Sequence, residues 1–202
     1  WVVLTGIFWR KDWGKFAQEN SLQFSKNGWR GLGRIHGRLG DREVEMARRR
    51  GLGDSDFVPT DLVLRIELQP FMKAYEMRGQ AKLERLGVLG GEEQIDDAEL
   101  DPLFVFRGVD RLRWKGLLGD PQVKQILLGL RSDQVQIDLD AGWMVLHWPD
   151  LSTRIIDHVL TYAIRLADRL EELEGQGWTH AAETLGLGFE IDEEACWRIR
   201  ST

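Results

Sequence analysis

Residues 61–69 constrain the fold more than any other stretch of the chain. Leu62, Leu64, Ile66 and Leu68 alternate with Val63, Arg65, Glu67 and Gln69, and Pro70 follows. Successive side chains of a strand point to opposite faces, so this alternation gives one apolar face and one half-polar face. Such a strand suits an antiparallel sheet, because parallel sheets are buried on both faces. Proline cannot donate to the ladder and ends the strand. The sheet therefore has one face that needs cover.

The cover is legible further on. Over 151–174, Ile155, Ile156, Val159, Leu160, Ala163, Leu166, Ala167, Leu170 and Leu173 form one apolar stripe at helical spacing. Asp150 or Ser152 caps its start and Gly175 ends it. Earlier, Asp12 caps a short helix carrying Trp13, Phe16 and Ala17 on one face, and 21–24 is extended. A hairpin over 31–39 and 42–48 turns at Gly40-Asp41. Residues 71–86 carry Met72, Tyr75, Leu83 and Leu86 at helical spacing, interrupted by Gly79. An acidic loop runs from Gly87 to Asp101, and 103–106 is a short strand. Helices follow over 111–118 and from Asp120-Pro121, where Asp caps and Pro suits the first turn. Strands 135–139 and 143–148 pair around Asp140-Ala141-Gly142. The expected fold is α+β: a mostly antiparallel sheet of about five or six strands, covered on one face by helices, with the long helix on the sheet.

The 202 residues are 43% apolar and include nine Trp and eight Phe, enough for one sizeable core. No run reaches 18 consecutive apolar residues. The single cysteine, Cys196, excludes an intrachain disulfide and a multi-cysteine metal site, and reads as a small buried apolar residue. The net charge of −6 is uneven. Residues 1–50 hold 11 basic and 5 acidic side chains; the remainder holds 16 and 28. Glu43 and Glu45 interrupt the basic part and the rest is acidic, so no nucleic-acid partner is expected.

The chain opens on Trp1 rather than Met and reads as cut from a longer one. Residues 1–9 are almost wholly apolar, and Arg10 and Lys11 follow at once. Aromatic residues at an apolar boundary, then basic ones, match the cytoplasmic end of a membrane helix. A buried first strand is the alternative, since Val2, Val3, Leu4 and Thr5 also suit one. Residues 10–175 make the α+β domain. Residues 176–202 echo 13–35: Trp13, Ala17, Leu22 and Phe24 recur at the same offsets as Trp178, Ala182, Leu187 and Phe189, and Ile35 and Ile199 follow Trp29 and Trp197. This echo reads as the start of a second copy, stopping where its hairpin begins, or as a lone helix–strand unit.

Trp-x-x-x-Ala at Trp13, Leu-x-Phe at Leu22, spaced glycines, and Asp101-Pro102-Leu103-Phe104 together resemble uncharacterised bacterial domains set after a membrane helix. The resemblance covers most of the chain. It implies a membrane-tethered domain without enzymatic activity.

No local motif assigns a catalytic, cofactor or metal residue. Gly31-Leu32-Gly33-Arg34-Ile35-His36-Gly37 misplaces the third glycine of a dinucleotide loop and leads into a strand. His36, His147, His158 and His180 include no pair at zinc-ligand spacing. Asp96, Asp97, Glu99 and Asp101 lack EF-hand spacing and read as a solvated loop. Arg48, Arg49 and Arg50, with Arg10 and Lys11, are candidate contacts to an anionic membrane surface. Trp143, His147 and Trp148 are candidates for a pocket or an interface. The expected function is a non-enzymatic, membrane-tethered interaction or scaffold domain on the cytoplasmic side, with a protein partner. The alternative is an enzyme or small-ligand-binding domain with a non-local pocket around the 135–148 hairpin.

Overall fold

The computed structural model describes residues 13–25, 33–50, 60–79, 94–109, 111–148, 153–184, 187–191 and 197–201. A first helix, α1, covers 13–19. Strands β1 (Gln23–Ser25), β2 (Arg34–Leu39), β3 (Arg42–Arg50) and β4 (Thr60–Glu67) follow. After a short 3-10 turn at Pro70–Ala74 come β5 (Glu76–Gly79) and β6 (Phe104–Arg107), then helices α2 (Arg111–Leu118) and α3 (Pro121–Ser132). The hairpin β7 (Gln136–Asp140) and β8 (Trp143–Trp148) leads to α4 (Thr153–Thr184), and β9 (Leu187–Ile191) and β10 (Trp197–Ser201) close the order.

Strands β1 to β8 form one antiparallel sheet in the order β1-β2-β3-β4-β8-β7-β5-β6; β9 and β10 pair separately. The sheet is thus wider than the five or six strands expected. The excess comes from β1, only three residues long, and from β5, whose residues 76–79 were expected to be helical; residues 80–86 of that expected helix lie outside the described residues. Residues 76–79 instead pair with β6, and Met77 pairs with Leu139 of β7.

Register decides which face is covered. Val44, Ile66, Met144, Leu139, Met77 and Phe106 are successive cross-strand partners, and Ile35, Met46, Leu64, Leu146 and Ile137 form a parallel row. All eleven are buried. They share one core cluster with Trp13 and Phe16 of α1, Trp114 of α2, Val123 and Leu127 of α3, and the α4 stripe from Ile156 to Leu170. Trp114 is its aromatic centre, with ring centroids 5.0 Å from Tyr75 and 5.1 Å from Phe106. Val63 and Val105, on the alternate parity, are buried outside that cluster.

Local chemistry sets the turns. Ala141 and Gly142 both take positive φ, 49° and 84°, between the paired Asp140 and Trp143, as a two-residue hairpin turn with matched twist requires. Asp120 caps α3 by accepting from the backbone N–H of Gln122 and Val123. Gly108 sits at φ 90°, and a Cβ there would lie 1.8 Å from the Ala74 carbonyl oxygen.

Helix α4 does not stop at Gly175. It runs 32 residues, about 48 Å. Each helical glycine costs roughly 1 kcal/mol relative to alanine. Contacts across Gly175 and Gly177 offset this. Glu174 is buried and accepts from Tyr75 Oη, from Arg113, and from Trp178 Nε1 one turn later at 2.9 Å. Burial first, then the Glu174 hydrogen bond, pushes the Tyr75 phenol above its ordinary value, so it remains the donor. One turn earlier, Glu171 accepts both Nη groups of Arg42 at 2.6 Å and the Gln69 N–H at 2.8 Å. These bonds tie α4 to the β2–β3 and β4–β5 connections. The expected caps at Asp12 and at Asp150 or Ser152 lie outside the described residues.

Candidate functional site

The alternate parity of the same strands builds the other face of the sheet. His36, Glu45, Arg65, Val145 and Asp138 are successive cross-strand partners, and Ala47, Val63, His147 and Gln136 form the next row. All the helical residues of the core cluster pack with the first face. On this second face Trp143, Val145 and His147 of β8 are half-buried, and Glu43, Glu67 and Asp140 are exposed.

A groove of about 270 Å³ lies here, lined by Glu45, Ala47, Val63, Arg65, Arg78, Asp138, Asp140, Val145 and His147. Its floor is apolar, from Ala47, Val63 and Val145. Its walls carry charge of both signs. Asp138 is 5% exposed; its Oδ1 accepts the Gly79 N–H at 3.2 Å, and its Oδ2 stands 3.9 Å from His147 Nε2. Arg78 pairs with Asp140 at 3.3 Å. Glu45 receives Arg34 at 3.0 Å and Arg65 at 3.7 Å, and the Arg65 guanidinium also lies 4.5 Å over the Trp143 ring. Its described lining holds carboxylates and an imidazole, from Glu45, Asp138, Asp140 and His147, and no described Ser, Thr, Cys, Lys or Tyr.

The three pocket candidates divide. Trp143 lies beside this groove and His147 lines it. Trp148 has the opposite parity and is 2% exposed in the core. Its inclusion in a pocket is therefore corrected: strand alternation sends it to the covered face. Arg48, Arg49 and Arg50 end β3, opposite Leu62, Asp61 and Thr60, so the strand runs two residues past the expected 42–48. Their side chains, like Arg10, Lys11, residues 1–9 and Cys196, lie outside the described residues. Glu45, Arg65, Arg78, Asp138 and Asp140 were not singled out from sequence as pocket residues. Parity alone places Arg65 on the polar face, but only the strand order β4-β8-β7-β5 brings it together with Asp138 and Arg78.

Other charged clusters are consumed by structure. Asp97 accepts the N–H groups of Glu99 and Leu100 and both its oxygens meet Lys124; Asp101 accepts from Ile95 and Asp97. Burial pushes Asp97 up, but Lys124 and the two N–H groups outweigh it and hold the carboxyl below the ordinary range. Among the described residues no cluster of three or more His, Cys, Asp or Glu side chains is arranged to hold a metal. Along α3 and α4, Arg169 is engaged by Asp120 at 2.6 Å and Glu172 at 2.7 Å. No described helix is long and apolar enough to cross a membrane.

Comparison with protein-family models, with curated proteins and with solved structures finds no match to this chain. The functional reading therefore rests on the geometry of the open face.

Proposed function

We propose that this chain is a non-catalytic interaction domain that presents to a protein partner the sheet face on which no described helix packs. The observation carrying this reading is the asymmetry of the sheet. One face is closed by helices, and the other offers Trp143 beneath Arg65 beside a charged groove. Aromatic and arginine side chains that combine apolar area with directed hydrogen bonds are those that dominate interfaces. A photo-crosslinker at Val145 tests it. A partner joined from Val145 but not from Gln125, on the outer side of α3, supports the reading; equal capture from both overturns it.

The tether belongs to the same proposal. A segment ending near Trp9 anchors the domain to the cytoplasmic face of a membrane, with Arg10, Lys11 and Arg48 to Arg50 toward anionic headgroups. What supports it is the apolar-then-basic order of residues 1–11. Alkaline extraction of native membranes is the check: the tether predicts retention in the pellet, and release into the supernatant contradicts it.

Residues 178–202 are read as the opening of a second copy. Trp178 falls within α4 rather than at a new helix start, and the hairpin does form. In β1–β2, Phe24 faces Ile35; in β9–β10, Phe189 faces Ile199. The Phe–Ile pairing recurs in both hairpins, which is what supports the reading. Removing residues 185–202 is expected to shift the midpoint of thermal unfolding by less than about 2 °C, because a second unit stabilises the first little. A larger loss would make the hairpin part of the first domain.

A further inference from the structure

We propose that the outer side of the helical layer is a self-association surface, on which two copies of this chain pair by exchanging Leu112. Leu112 of each copy enters a slot between α2 and α4 of the other, over the partner's Gly116 and Gly177. Both helices pack on the covered face of the sheet, so pairing leaves the open face of each copy free.

Three features lead there. First, Leu112 is 79% exposed, the one large apolar side chain so placed among the described residues. Alone it would mean little. It stands one turn before Gly116, on the same side of α2. There α2 and α4 leave a slot of about 380 Å³, with Leu117 and Leu173 lining it and Trp178 as a wall. Its surface is mostly apolar. Second, the sequence keeps this slot open. A Cβ on Gly116 or on Gly177 would meet nothing within 4 Å. Both glycines are helical, and alanine suits a helix better at each. Packing within one chain therefore gives no reason for either glycine, whereas a side chain arriving from outside does. The wall is also fixed in advance. The Trp178 indole N–H donates to Glu174 at 2.9 Å, and the Arg113 guanidinium lies 4.9 Å over the ring, so little has to be ordered on binding.

Third, the inserting group and the receiving slot share one surface. That is the condition for a two-fold pair, in which each copy inserts what the other receives. With α2 antiparallel to its counterpart and the axis passing beside residue 114, Leu112 lies opposite the partner's Gly116. Arg113 then lies opposite the partner's Lys115. These cations arrive already paired, Arg113 with Glu174 and Lys115 with Asp96, which also accepts Arg111. An eight-residue helix buries little area, so the pair belongs with small, transient interfaces.

The test is sedimentation equilibrium of the full chain at concentrations up to about 1 mM. Reversible exchange between monomer and dimer is expected. Leu112→Ser should weaken pairing at least about ten-fold. Its unfolding midpoint should match the parent's, because the side chain removed is exposed. Gly116→Leu should fill the slot and weaken pairing to a similar degree. It should leave the monomer at least as stable, because the new side chain starts in open space and leucine favours a helix. An equal mixture of the two variants restores one insertion per pair, Leu112 of one over Gly116 of the other. The mixture should therefore associate more tightly than either variant alone, a gain that loss of structure would not give. A monomer at every concentration, a dimer that neither variant weakens, or a mixture no tighter than its components overturns the proposal.

Discussion

Strand β8 holds both sides of the molecule in six residues. Met144, Leu146 and Trp148 are buried beneath the helices, while Trp143, Val145 and His147 are half-buried on the other face. The same backbone thus carries a packed layer and a chemical surface, separated only by side-chain parity. A one-residue slip would exchange the two sets, so the register that stabilises the core also assembles the groove. Stability and binding should therefore respond to substitution separately, according to face.

The largest effect comes from breaking the comparison within β8. Trp148→Ala is expected to cost about 3–5 kcal/mol, as large-to-small changes of buried aromatics do. Trp143→Ala on the open face should cost less than about 1 kcal/mol in the same denaturant titration. Comparable losses would mean that both faces are packed.

Next is the bond between the start of β3 and α4. Arg42→Met should cost about 3 kcal/mol, because it leaves the buried Glu171 carboxylate without its cation. Replacing Arg42 and Glu171 together by Met should cost less than the single change. If the double variant is the less stable, the pair contributes more than its own desolvation.

The helical layer itself has an acid-sensitive cap. Asp120→Ala should cost about 1–2 kcal/mol through the cap on α3. The Arg169 hydrogen bond, against a smaller contribution from burial and with help from the Val123 and Gln122 N–H groups, holds Asp120 below its ordinary 3.8. A depressed carboxyl stabilises the fold above its unfolded value and loses that contribution as pH falls through the folded value. The gap between parent and variant should therefore close as pH falls below about 3.8. A gap that persists at lower pH would assign the loss to packing. Smallest of all, Arg65→Gln should change stability by no more than about 0.5 kcal/mol.

The sequence was most legible where short-range chemistry decides structure. Gly40-Asp41 and Ala141-Gly142 announced their hairpins, and Asp120-Pro121 announced α3. It was least legible where tertiary contacts override local signals. Gly175 marks a helix end, yet the bonds to Glu174 carry α4 past it. Residues 76–79 are too short to show alternation and become a strand because β6 lies beside them. The site follows the same division. Trp143 and His147 share a parity that can be read from the chain. Asp138 and Arg78 join them through strand order, which no local pattern encodes.

The measurement that tests the two-faced sheet most directly is paramagnetic attenuation of methyl signals by a soluble, uncharged relaxation agent. Val145 and Leu146 are adjacent on β8 and serve as an internal pair. The account predicts strong attenuation at Val145 and protection at Leu146. Equal protection of both would show the groove face covered, and would contradict the surface on which the proposed function rests.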